Sequence, residues 1–127
     1  MKNKKRLAGF VAGIMLAGIM LCACGKASTF DGSKTGDADQ FNLDFETLNT
    51  EYSHELEMKE GEKIDVSVER LKGKIAITIQ KGDEEPAYRG SDVETSDFQV
   101  GIGEEGTYTL TVSGKDAKGH VYLRRKD

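Results

Sequence analysis

Apolar and polar residues alternate with a period of two over most of the chain after Glu51. The alternating segments cover residues 52–58, 64–68, 75–79, 98–102, 108–112 and 121–123, with a short segment at 87–90. Glycine and charged residues separate these segments at intervals of about 8 to 12 residues, as in antiparallel sandwiches. Residues 71–73 and 113–119 are expected to be two of the turns. The pattern predicts an all-β fold: an antiparallel, Greek-key or immunoglobulin-like β-sandwich of about seven strands.

Residues 41–50 fit two patterns. Phe41, Leu43 and Phe45 alternate as in a strand, whereas Phe41, Phe45 and Leu48 also fit one face of a helix. We interpret the segment as the start of the domain and expect an edge strand. The domain is therefore predicted to cover residues 41–127.

The N-terminal part of the chain has a different character. Met1 to Arg6 is basic, and residues 7–21 form an unbroken apolar run. As a helix, that run spans roughly 22 Å, which is short of the ~30 Å hydrocarbon core of a bilayer. The apolar core of a signal peptide fits it better than a transmembrane anchor.

The apolar run ends in Leu21-Cys22-Ala23-Cys24. Cys24 has Leu21 three positions before it and the small residue Ala23 directly before it, whereas Cys22 directly follows the bulky Leu21. Residues 1–25 resemble the bacterial lipoprotein signal family, with its lipobox. The resemblance implies cleavage between Ala23 and Cys24, a diacylglyceryl thioether on Cys24 and usually an acylated amine, with fatty acids such as palmitate. A secreted protein without lipid and a short N-terminal anchor are the alternatives.

These signals divide the chain into three parts. Residues 1–23 are predicted to be the lipoprotein signal peptide, 24–40 the lipidated cysteine with a flexible linker rich in Gly, Ser, Thr and Asp, and 41–127 the sandwich. Anchoring through more than one acyl chain is stable, because each buried methylene contributes about 0.8 kcal/mol. The expected location is the extracytoplasmic side of the cell membrane.

Charge limits the partners. Four of the 18 basic residues precede Cys24 and all 22 acidic residues follow it, so the part after Cys24 carries 14 basic against 22 acidic residues. This excess of acid argues against nucleic acid, and against anionic lipid as a general electrostatic partner, because both require a basic face. The expected partners are the membrane, through the lipid anchor, and a protein or glycan.

Residues suited to catalysis are few. The predicted mature chain retains His54 and His120 but no free thiol, and it contains no familiar nucleophile, zinc or phosphate-binding motif. His54 is expected to pack on its strand, and His120 to be exposed. The sequence predicts that the protein is not an enzyme and holds no cofactor except the covalent lipid. Loop carboxylates can bind calcium. Asp83, Glu84 and Glu85 form the best cluster for it, although we favour a solubilising role.

Three tyrosines have predicted roles. Tyr108, in Glu104-Glu105-Gly106-Thr107-Tyr108, resembles the tyrosine corner of Greek-key sandwiches, whose hydroxyl bonds to upstream backbone and stabilises the fold. Tyr122 lies out of phase with Val121 and Leu123 and should face outward. Tyr122 and Tyr88 are the candidate ligand-binding rings.

The domain, with its ending GTYTLTVSGKDAKGHVYL, resembles the small surface lipoproteins of Gram-positive, gut-type bacteria that end in a compact sandwich. Residues 1–30 carry this resemblance specifically, and residues 50–127 only in style. The leading hypothesis is a non-enzymatic binding or interaction module at the cell envelope. The alternative is a carbohydrate-binding accessory lipoprotein of a transporter or hydrolase system, and an enzyme is the third class.

Overall fold

A computed structural model describes residues 28–127 and shows seven strands in one antiparallel sheet. The strands are β1 (Thr29–Gly36), β2 (Gln40–Asn49), β3 (Glu51–Met58), β4 (Lys63–Lys81), β5 (Tyr88–Gly90), β6 (Ser96–Gly101) and β7 (Gly106–Lys126). The predicted all-β, antiparallel sandwich of about seven strands is confirmed. Within this part of the chain, no helix has the length and hydropathy needed to cross a bilayer.

The two longest strands, β4 and β7, organise the sheet. They pair along their whole length, from Lys63 opposite Lys126 to Lys81 opposite Tyr108. β2 pairs with the C-terminal half of β7, and β3 pairs with its N-terminal half. In the same way, β6 pairs with the N-terminal half of β4, and β5 pairs with its C-terminal half. One layer therefore has the order β1-β2-β7-β4-β6 and the other β3-β7-β4-β5. The long strands bend between these layers, so a single sheet folds over on itself.

The alternating apolar residues fill the space between the two layers. Ile75, Ile77 and Ile79 of β4 are fully buried and lie in the same cluster as Leu110 and Val112 of β7. No polar or charged residue is fully buried among the residues the structure describes. Because the outward positions are polar, the period of two seen in the sequence assigns each residue to the core or to the surface.

The expected turns at 71–73 and 113–119 are corrected by the structure. Both segments are bends inside a continuous strand, where the pairing of β4 with β7 shifts register between Arg70 and Lys74. Gly73 has φ of 73° and Asp116 has φ of 50°. Positive φ occurs in β-bulges as well as in turns. Gly73 and Asp116 therefore bend the two strands without ending them.

The predicted flexible linker over 24–40 also differs from the structure. Thr29–Gly36 is a strand that pairs with β2 from Thr29 opposite Asn49 to Gly36 opposite Phe41. β2 therefore lies inside the sheet, where we expected an edge strand. β1 shows no apolar alternation because an edge strand with a solvent-exposed surface needs only backbone hydrogen bonds from its neighbour. Ala23 and Cys24 lie outside the described residues, so their role stays a prediction.

Side chains connect β1 to β3, in the layer β3-β7-β4-β5. The ring of Phe30 meets the ring of Tyr52 on β3 edge-on, with centroids 5.1 Å apart. The Lys34 ammonium lies 4.7 Å from the centre of the same tyrosine ring. The hairpin from β1 to β2 is held by Asp37, whose Oδ1 accepts the backbone N–H groups of Asp39 and Gln40. β1 thus closes one side of the sandwich, although its composition is that of a linker.

Candidate functional site

The outer face of the five-stranded layer presents three consecutive outward side chains of β7. His120, Tyr122 and Arg124 alternate with the buried Val121 and Leu123. β7 lies in the middle of this layer, so these three side chains are flanked on one side by β2 and on the other by β4. We call this surface the β7 face.

Two aromatic rings stack at the centre of the β7 face. The rings of His120 and Tyr122 are almost parallel, with an interplanar angle of 9° and centroids 4.2 Å apart. The Tyr122 hydroxyl donates a hydrogen bond of 2.7 Å to Oδ2 of Asp44 on β2. On the other side, Nδ1 of His120 lies 3.6 Å from Oε1 of Glu69 on β4. The stacked pair therefore has a hydrogen bond to the β2 side and a carboxylate close by on the β4 side.

The carboxylate of Asp44 changes the ionisation of Tyr122. Its hydrogen bond to the hydroxyl raises the pKa of Tyr122, and partial burial and the charges of Asp44 and Glu69 act in the same direction. A phenol with a raised pKa stays protonated at neutral pH. Tyr122 is therefore a neutral ring at neutral pH, and its hydroxyl is a hydrogen-bond donor to Asp44.

The stacked pair separates two open grooves. His120 lines the first, of about 360 Å³, and Tyr122 lines the second, of about 470 Å³. The first groove also contains Asp44, Glu46, Glu69, Leu71 and Lys118. The second also contains Asp65, Ser67, Asp97, Gln99 and Arg124. Both volumes fall in the range of small-ligand sites, about 300–1,000 Å³.

The second groove combines a ring with closely spaced hydrogen-bonding groups. Nε2 of Gln99 donates to Oδ1 of Asp65 at 2.7 Å, so the amide and the carboxylate hold each other in place. Arg124 supplies donors and Asp97 supplies acceptors along the same groove. This arrangement suits a ligand with many hydroxyl groups, which needs donors and acceptors beside an apolar ring face.

The structure separates the two tyrosines predicted to bind a ligand. Tyr122 faces outward on the β7 face, as its phase in the sequence predicts. Tyr88 is half-buried on β5, and its ring lies 5.0 Å from that of Phe98 on β6. Tyr88 closes the side of the sandwich opposite β1 and belongs to neither groove.

The two histidines have defined surroundings. The ring of His54 stacks on that of Phe41 with centroids 5.2 Å apart, and its Nε2 lies 2.7 Å from the Asp37 carbonyl oxygen. It is a packed residue, as its phase in the strand indicated. His120 was expected to be exposed, but stacking on Tyr122 leaves its side chain 24% exposed.

The calcium candidates Asp83, Glu84 and Glu85 lie in the exposed loop between β4 and β5. The carboxylate of Glu84 lies 3.8 Å from the ammonium of Lys81. No group of three or more His, Cys, Asp or Glu residues suited to a metal occurs within residues 28–127. The structure therefore does not bring these carboxylates together around one point.

The tyrosine corner is present. Tyr108 is buried, and its hydroxyl donates a hydrogen bond of 2.6 Å to the backbone carbonyl of Glu104. This is the contact that the resemblance predicted, and it gives Tyr108 a role in stability.

Sequence reasoning found Tyr122 but missed the residues around it. Asp44, Asp65, Gln99 and His120 are outward positions of four strands, and only the register of the sheet shows that they are neighbours. The available signal was their polar phase opposite each apolar run, which marks the surface but does not pair the strands.

Comparisons with known proteins show low similarity. The chain resembles the pre-peptidase C-terminal domain of collagenase from Bacillus anthracis, with a TM-score of 0.47 and 13% identity over 81% of this chain and 100% of that one. It also resembles PliG of Aeromonas hydrophila, a periplasmic lysozyme inhibitor of g-type lysozyme, with a TM-score of 0.45 and 10% identity over 81% and 93% of the two chains. No protein-family model and no curated protein matches the chain.

Proposed function

We propose that this protein is a lipid-anchored, extracytoplasmic binding module without catalytic activity, and that it binds its partner through the β7 face. The observation that carries the proposal is the stacked pair His120 and Tyr122, held between Asp44 and Glu69 and flanked by two open grooves. The Tyr122 hydroxyl is hydrogen-bonded to Asp44 and its ring is stacked on His120, and a surface preorganised in this way reduces the entropy lost on binding. The predicted signal peptide of residues 1–23, directly followed by Cys24, supports the location.

The absence of catalysis is supported by the state of the ionisable groups on this face. The Tyr122 hydroxyl is committed to Asp44, and the Asp65 carboxylate is bonded to Gln99. Both groups thus have a structural partner, and the sequence contains no familiar nucleophile, zinc or phosphate-binding motif. A turnover screen of the purified protein tests this part, and any catalytic activity lost on Tyr122→Phe would refute it.

The anchoring is tested by metabolic labelling with a fatty acid in cells that express the full chain. Cys24→Ala should abolish acyl labelling and leave the uncleaved precursor. Cys22→Ala is the matched control and should leave both labelling and cleavage unchanged. Labelling that survives Cys24→Ala would show that the lipid is attached elsewhere.

A carbohydrate is the second candidate ligand, and the composition of the second groove favours it. Tyr122 there stands beside Asp65, Asp97, Gln99 and Arg124, so a sugar could contact the ring while its hydroxyls meet carboxylate, amide and guanidinium groups. In that case the protein would serve a transporter or hydrolase as an accessory lipoprotein.

A glycan array and a pull-down from envelope extract separate the two candidates. Saturable glycan binding that is lost on Tyr122→Ala and retained on Tyr88→Ala favours a carbohydrate, because only Tyr122 lines the groove. Specific capture of a protein that depends on Tyr122, without glycan binding, favours a protein partner. Binding that is unaffected by Tyr122→Ala would place the site outside the β7 face.

A further inference from the structure

Four lysines gather where β4 and β7 bend. Lys72 lies opposite Lys118 and Lys74 lies opposite Lys115 in the register of the two strands. Like charges directly opposite one another destabilise a sheet. Lys118 is paired with Glu46 at 3.2 Å. Among residues 28–127, the other three lysines form no ion pair and are exposed.

An exposed leucine lies in the same bend. Leu71 precedes Lys72 and is 62% exposed, and it is the only large hydrophobic residue with such exposure in the described part of the chain. We call Leu71, Lys72, Lys74 and Lys115 the bend patch. An exposed apolar side chain in the same bend as these three lysines matches the interface of an anionic bilayer, where lysines meet phosphates and the apolar group enters the headgroup region.

The bend patch lies at the end of the sandwich where the chain enters it. β1 begins at Thr29, opposite Asn49. The side-chain oxygen of Asn49 accepts a 3.3 Å hydrogen bond from the backbone N–H of Asp116, in the bend of β7. β1 and β4 are three strand spacings apart in this layer, which is about 14 Å. The start of β1 and the bend of β4 therefore lie at the same end of the sandwich, about 14 Å apart.

The distance from Cys24 to this end is short. Cys24 precedes Thr29 by five residues, and a chain of that length extends at most about 18 Å. With β1 in the sheet, the linker is much shorter than the sequence predicted. A lipid on Cys24 therefore keeps this end of the sandwich next to the headgroups.

We propose that the bend patch docks on the anionic phospholipid of the membrane that holds the anchor, and so fixes the orientation of the sandwich. The proposal rests on the anchoring proposed above. The acidic excess of the chain argued against anionic lipid as a general partner, so the docking rests on Lys72, Lys74 and Lys115, which form no ion pair within residues 28–127, although Glu46 and Glu69 line the groove that contains Leu71. Lysines within a Debye length of an anionic leaflet are attracted to it, and this attraction favours the orientation in which the bend faces the membrane.

Lysine footprinting of the native, lipidated protein tests the docking. The protein is reconstituted in vesicles of phosphatidylcholine alone or of equal parts phosphatidylcholine and phosphatidylglycerol. It is then treated with a water-soluble amine-reactive reagent. Labelling of Lys72, Lys74 and Lys115, read by mass spectrometry, should fall about threefold or more in the anionic vesicles and recover in high salt. Lys59, Lys63 and Lys126, exposed at the opposite end, should be labelled equally in both.

Charge reversal supplies an independent measurement. Lys72→Glu, Lys74→Glu and Lys115→Glu combined should remove the difference between the two kinds of vesicle, measured by hydrogen exchange of residues 70–75. Lys59→Glu, Lys63→Glu and Lys126→Glu combined is the matched control, because it changes net charge equally and also alters a lysine pair across β4 and β7. The control should keep the difference.

The outcomes separate docking from anchoring. Equal labelling of the bend patch in both vesicles, by a protein that is acylated and sediments with them, overturns the docking alone. A protein without an acyl chain that does not sediment overturns both proposals. Equal protection by a soluble glycerol-phosphate polymer, with phosphatidylcholine as the only lipid, would show that phosphate and not the leaflet is recognised, and it also overturns the docking.

Discussion

Gly73 on β4 and Asp116 on β7 lie in direct contact where the sheet folds over. A β-carbon on Gly73 would lie 2.2 Å from the backbone carbonyl oxygen of Asp116. Both residues have positive φ, 73° and 50°. The two long strands therefore bend at the same level, and the close approach of their backbones allows one sheet to form both layers of the sandwich.

Gly73→Ala should destabilise the protein by at least about 2 kcal/mol, because it adds a backbone clash to an unfavourable φ. Gly61→Ala is a graded control. Gly61 has φ of 91° but nothing within 4 Å of an added β-carbon, so only the backbone cost of about 1 kcal/mol remains. Gly101→Ala meets open space as well and should change stability by less than about 0.5 kcal/mol. Chemical denaturation measures all three, and equal losses for Gly73→Ala and Gly61→Ala would contradict the contact.

Tyr108→Phe should lower the free energy of unfolding by about 1 kcal/mol, because it removes the hydrogen bond to the Glu104 carbonyl and keeps the ring. Tyr88→Phe is the matched control. Its ring packs on Phe98, and its hydroxyl forms no hydrogen bond within residues 28–127. That variant should be close to neutral. A Tyr108→Phe protein as stable as the parent would show that the hydrogen bond of the tyrosine corner does not stabilise the fold.

Phe30→Ala should loosen β1, because the ring of Phe30 joins this edge strand to Tyr52. An aromatic pair contributes about 0.5–1.5 kcal/mol beyond its buried area, so we expect a loss of stability of that order or slightly more. Amide hydrogen exchange of Thr29–Gly36 should accelerate, while that of β4 and β7 changes little. Thr35→Ala, at an exposed position of the same strand, should have no comparable effect. Unprotected β1 amides in the parent protein would instead support the flexible linker.

The pKa of Tyr122 is raised above its usual value of 10.0, first by the hydrogen bond to Asp44. A raised pKa in the folded state means that this hydrogen bond stabilises the fold fully below pH 10.0 and that the contribution disappears as pH rises through the folded-state pKa. Asp44→Asn should return the Tyr122 titration towards the usual value. Tyrosinate absorbance measures it, with Tyr122→Phe subtracted to assign the signal. An unchanged titration in Asp44→Asn would show that another group perturbs Tyr122.

The sequence by itself determined which residues are buried and which face outward. Ile75, Ile77 and Ile79 follow the predicted phase into the core, and Tyr122 follows it outward. Tyr108 was assigned correctly because its hydrogen bond reaches only four residues along the chain. Such features depend on the local geometry of a strand, which the order of residues encodes directly.

Only the tertiary structure decided what depends on register. In the structure, β4 and β7 continue through the segments that the sequence predicted to be turns, and the polar residues 29–36 form a strand. Lys72 lies opposite Lys118, and Asp44 lies beside Tyr122. The partners in these contacts are about 40 or more residues apart, except in the β1 hairpin. Positive φ and polar composition are equally compatible with a turn, a bend or an edge strand. The choice among them is made by backbone hydrogen bonds to a neighbouring strand, and no single segment contains that information.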